Sequence, residues 1–142
     1  MNVASWDDVA TIITGSFEVV IRGDDWLGLV HRDGLPDDQQ PVKVKVAMLT
    51  ALGQPYVTIT ADVLEASKLP PETALAINHA LPVAALESED DRILLRATVP
   101  MLGLGADYLR RITLHVARQA AHMQATHNVH TLRPALFAHY VE

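Results

Sequence analysis

Cysteine is missing from this 142-residue chain. Its absence excludes disulfides, thiolate metal sites and cysteine nucleophiles. Basic charge is also scarce: 11 Lys and Arg stand against 17 Asp and Glu, a formal net charge of −6. That balance argues against a nucleic-acid backbone or an anionic membrane as the main ligand, because both need a basic surface. No apolar run approaches the ~20 residues that a membrane helix requires. The stretch Met1-Asn2-Val3-Ala4-Ser5-Trp6-Asp7-Asp8 has neither a basic region nor a continuous apolar run, so it does not read as a signal peptide. A cytoplasmic location is the expectation. There is no internal repeat of fixed period.

Apolar residues make up 49% of the chain, enough for a globular core and too many for a disordered polymer. At this length one domain is expected, over residues 1–127, followed by a tail over 128–142. Ser5 is a plausible N-cap, with Asp7 and Asp8 suited to the positive end of a first helix. Trp6, Val9, Ala10 and Ile13 fall on one face of that helix, which Gly15 would end. Phe17 to Ile21 is a short apolar run, either a strand or only a connection. Gly23-Asp24-Asp25 reads as a turn, Trp26 to His31 as a strand, and Asp33 to Pro41 as a loop.

The clearest period-2 signal follows. Val42, Val44 and Val46 alternate with Lys43 and Lys45, which predicts one buried and one wet face. Gly53-Gln54-Pro55 turns the chain, and Val57, Ile59, Ala61 and Val63 alternate with polar neighbours. Pro70 and Pro71 mark the start of a second helix. Leu75 and His79 share one face of it, and Ala74, Ile77 and Leu81 another. Val83 to Glu87 predicts a strand, Ser88 to Asp91 an acidic turn, and Ile93 to Val99 a further alternating strand. Leu109, Ile112, Val116, Ala120 and Met123 form the core stripe of a long final helix beginning near Ala106. The sum is an α+β domain on a mostly antiparallel sheet covered by helices, in the order helix, strand meander, helix, hairpin, helix.

Few residues form a recognisable chemical motif. His115 and His122 lie seven apart, and His127 and His130 three apart, spacings that put ring nitrogens on one helical face and allow a divalent metal. No HExxH motif accompanies them, and Arg110, Arg111 and Arg118 repel a cation. Gly103-Leu104-Gly105 lacks the third glycine of a phosphate loop. The serines have no nucleophile-elbow context. No catalytic residue and no cofactor is therefore expected. Trp6 and Trp26 are core residues or anchors for a partner. Leu94 shares the strand face of Arg92 and Arg96, opposite the core set, and is either an interface residue or a lone exposed leucine. Leu136, Phe137 and Tyr140 give the tail an apolar patch.

The order of elements resembles the type III secretion chaperone-like superfamily, which includes the class I secretion chaperones and the YbjN-like domains. The local likeness is Ala76-Ile77-Asn78-His79-Ala80-Leu81, the hairpin from Val83 to Val99, and Pro100-Met101. It covers roughly residues 5–125. Four strand-like runs precede the middle helix where the chaperones have three, and the tail is extra. The resemblance implies a non-enzymatic, homodimeric protein that holds a polypeptide segment on apolar surface, often by strand addition to a sheet edge. Trp6, Val9, Ile13, Trp26 and Leu94 are the residues expected to meet such a partner. By analogy, Leu75 and Leu86 are expected at the dimer interface. The competing expectation is a metal- or small-ligand-responsive regulator using His115, His122, His127 and His130.

Overall fold

The computed structural model describes residues 2–35, 37–81 and 83–126. These form an α+β fold: α1 (Trp6–Ser16), β1 (Glu18–Arg22), β2 (Trp26–His31), β3 (Val42–Ala51), β4 (Gln54–Glu65), α2 (Pro71–Ala80), β5 (Ala85–Glu89), β6 (Arg92–Pro100) and α3 (Ala106–Thr126). The strands make one open antiparallel sheet in the order β1-β2-β3-β4-β6-β5.

The core lies between one face of this sheet and the helices. Val42, Val44 and Val46 of β3 are buried, as are Val57, Ile59 and Ala61 of β4 and Ile93, Leu95, Ala97 and Val99 of β6. The stripe of α3 expected from its spacing, Leu109 to Met123, is buried throughout. Helix α3 crosses β3, β4 and β6 and packs beside α1. Ser5 caps α1 as expected: its Oγ accepts from the Asp8 amide at 3.4 Å, and the Ala4 amide donates to the Asp8 carboxylate at 2.8 Å. The helix runs through Gly15 and ends at Ser16, so the glycine does not terminate it.

Two bulges shape the sheet. In β1 the register moves from Val19↔Leu29 to Ile21↔Gly28, which inserts one extra residue at Val20. The Phe17–Ile21 run is thus no mere connection; most of it belongs to a sixth strand, at the sheet edge. In β4 the register moves from Asp62↔Leu94 to Leu64↔Ile93, and both Val63 and Leu64 turn into the core. The Asp62 carbonyl there accepts from Gln124 of α3 at 2.8 Å.

The turns differ slightly from the expectation. Ala51 pairs with Gln54, so the β3–β4 turn is Leu52-Gly53, with φ of 51° and 72°. Positive φ at both central residues is the geometry of a type I′ hairpin. The acidic turn is likewise only Asp90-Asp91, since Glu89 pairs with Arg92, and β5 starts at Ala85 rather than Val83.

Helix α2 is the least embedded element. Among its own residues only Ile77 is fully buried, and Leu75 is 71% exposed, as the two-faced pattern implied. It is tied to β5 by one side chain. Asn78 donates to the Leu86 carbonyl at 3.1 Å and accepts from the Leu86 amide, occupying the position of a neighbouring strand. Strand β5 is the last in the sheet, so Asn78 satisfies backbone groups that an edge would otherwise leave open.

Candidate functional site

The sheet face turned away from α1 and α3 forms a shallow concavity of about 480 Å³. Alternation along each strand decides what lines it. From β2 come Trp26, Gly28 and Val30; from β3, Lys43, Lys45 and Ala47; from β4, Thr58, Thr60 and Asp62; from β6, Leu94 and Arg96. The β1 bulge adds Val20 and Ile21, both on this face and 59% and 54% exposed.

Two glycines let large side chains settle here. A Cβ on Gly28 would lie 2.7 Å from Ile21 Cγ2, so the bare backbone of β2 makes room for the Ile21 side chain opposite it. A Cβ on Gly23 would collide with the Trp26 indole, which therefore folds over the β1–β2 turn. Lys45 Nζ stands 5.3 Å from the centroid of that indole, within cation–π reach.

The charges on this face divide into two groups. On the β4–β6 side they are paired: Arg92 binds the Asp62 carboxylate with two nitrogens, and Arg96 meets Glu87 at 2.9 Å. On the β2–β3 side Lys43 and Lys45 are exposed, and no carboxylate among the described residues lies within ion-pair distance of either. Lys45, Thr60 and Arg96 sit in one cross-strand row. A second cleft, of about 640 Å³, continues past Val30, Lys43 and Asp62 toward Lys68, Arg92 and Gln124.

The residues expected to meet a partner are only partly brought together. Trp26 and Leu94 line the same concavity. Val9 and Ile13 do not belong with them: both are fully buried in the core beneath α1, because the apolar face of an amphipathic helix covers the sheet. Trp6 is half-buried against that core, away from the open face. Of the pair expected at a dimer interface, Leu75 is exposed on α2. Leu86 is buried, its side chain turned into the core while its backbone is held by Asn78.

The histidines make no metal centre in the described part of the chain. Among the described residues no three His, Asp or Glu side chains converge as a ligand set. His115 and His122 are half-buried on α3; His127 and His130 lie outside the described residues, as does the tail patch. A different pair shares a pocket: His122 and His31 line one of about 310 Å³ with Asp33, Gln39 and Arg118. Burial lowers the pKa of both imidazoles. For His31 Arg118 acts in the same direction and Asp33 opposes it.

No protein-family model matches this chain, and no curated protein matches it. No helix is long and apolar enough to cross a membrane among the described residues.

The residues that sequence reasoning missed are Val20, Ile21, Lys43 and Lys45. The lysines were legible as a wet strand face. Nothing in the spacing brings them beside Trp26; only the β2–β3 register, Trp26↔Ala47 and Gly28↔Lys45, does so. Val20 and Ile21 were hidden by the bulge, since simple alternation would send one of them inward.

Proposed function

We propose that this chain is a non-enzymatic, cytoplasmic polypeptide-binding module of the secretion-chaperone or YbjN-like kind, acting as a homodimer. One observation carries the reading. Among the described residues no element covers the outer sheet face, which is concave and carries apolar side chains, with Val20, Ile21, Trp26 and Leu94 around the Thr58–Thr60 floor. An open sheet whose second face is partly apolar favours a covering layer, and a polypeptide segment can supply it. The edge strand β1 adds backbone donors and acceptors beside that apolar strip. For the dimer, Leu75 on α2 and Val83 just before β5 offer exposed apolar groups.

Panning the full-length protein against phage-displayed random peptides tests the first part. Selected peptides should lose binding when Ile21→Ser and Leu94→Ser are combined, with the melting temperature unchanged. Peptides that bind the variant as well as the wild type would remove the outer face from consideration. For the second part, light scattering should give a mass that rises with concentration and falls for Leu75→Glu. A monomeric mass throughout the concentration range would leave a binding module that acts alone.

A further inference from the structure

Resting on the polypeptide-binding reading of this face, we infer that its occupant is an acidic extended segment that presents carboxylates and apolar side chains together on one side, two residues apart. The argument begins from charge. The whole chain carries −6, yet Lys43 and Lys45 stand together on the open face with no carboxylate of the described residues in ion-pair reach. Local acids do not meet this need. Asp62 is taken by Arg92 and Glu87 by Arg96. Of the acids lining the concavity this leaves Glu89, which pairs in register with Arg92 at the far hairpin, two rows beyond the Lys45–Thr60–Arg96 row.

Geometry narrows the chemistry further. Lys43 and Lys45 are two residues apart on one strand, so their stems emerge about 7 Å from each other. That is the repeat of successive same-side residues in an extended segment. Apolar side chains flank the lysines on both sides: Ile21 and Trp26 toward the β1 edge, Leu94 toward β6. Lys45 over the indole also places one ammonium at the rim of the apolar strip. Such a surface suits carboxylates and apolar groups carried on the same side of an extended segment and repels a basic segment. A nucleic-acid strand could also use cations and an exposed aromatic. The paired acids on the β4–β6 half and the overall negative charge disfavour it.

The test uses the full-length protein and three printed probes. Two are short peptide arrays in which every second residue is drawn from Leu, Val, Phe, Asp and Glu in one and from Leu, Val, Phe, Lys and Arg in the other, with Ser between. The third is an oligo-dT. Wild type should retain the acidic array, and rising NaCl should weaken that retention. The double variant Lys43→Glu with Lys45→Glu should lose about tenfold on the acidic array and gain on the basic one. Both lysines are exposed, so the variant should melt like wild type. Retention of the acidic array unchanged by the reversal would overturn the inference, and so would wild-type preference for the basic array or the oligo-dT. If the reversal is silent while Ile21→Ser with Leu94→Ser weakens binding, the docking face survives and only its acidic occupant is lost. If neither variant alters retention, both readings fall together.

Discussion

On β3, Val42, Val44 and Val46 disappear beneath the helices, whereas Lys43 and Lys45 stay exposed on the opposite face of the same strand. The contrast continues across the sheet. Leu95 and Ile59 are wholly enclosed, while Leu94 and Thr60, their chain neighbours, line an open concavity. Two faces made by the same strands therefore serve different ends. The inner one is held by burial of β-branched and leucine side chains, which is non-directional and tolerant of how the sequence achieves it. The outer one is assembled from register, bulges and glycines, and its character depends on which few side chains come together. Stability should be sensitive to the first and binding to the second.

The widest separation is expected between Leu95→Ala and Thr60→Ala. Emptying the inner face should cost about 2–5 kcal/mol, and trimming the outer face about 0.5 kcal/mol or less. Urea unfolding measures both, and equal losses would end the distinction between the faces. Asn78→Ala comes next. It strands the Leu86 amide and carbonyl at the β5 edge and should cost about 1–3 kcal/mol. Hydrogen exchange at the Leu86 amide should accelerate; continued protection there would mean that something other than Asn78 closes that edge.

Acid sharpens the comparison from a third direction. Burial holds His31 and His122 below the ordinary imidazole value of 6.5, so the folded state prefers them neutral and the unfolded state binds more protons. Their contribution is complete above that value and is lost as pH falls through it toward the folded-state values. The melting temperature should drop over that window, and His31→Gln should flatten the slope. A slope unchanged in the variant would assign the effect elsewhere. The smallest effect is a gain. Leu52 is 90% exposed at a φ of 51° in the β3–β4 turn, a conformation that Asn adopts more readily. Leu52→Asn should raise stability by up to about 1 kcal/mol; a loss would show that the leucine makes a contact that offsets its strain.

Much of the fold was legible because its cues are local. The valine–lysine alternation of β3, the stripe of α3, the cap at Ser5 and the prolines before α2 each need only a few residues of chain to act. Where the reading failed, the cause lay between segments. An extra residue in β1 turns Val20 and Ile21 to one face, and no local preference announces it. Val9 and Ile13 were placed on a helix face correctly and assigned to a partner wrongly. An amphipathic stripe has the same spacing whether it covers its own sheet or another protein. Leu86 was misread for a similar reason: its strand was visible, but not the direction of its side chain or the hold of Asn78.

By itself the sequence determined which segments are helix and strand, that the sheet has one apolar face, and that the chain bears excess negative charge. Those follow from periodicity and composition, which are properties of neighbours along the chain. Only the tertiary structure decided that β6 pairs with β4 and leaves β5 at the sheet edge, that Asn78 stands in for a further strand, and that Trp26, Ile21, Leu94 and two lysines share one concavity. The β4–β6 pairing and the shared concavity join residues far apart in sequence, and even the shorter reach from Asn78 to Leu86 is chosen by packing, not by local preference.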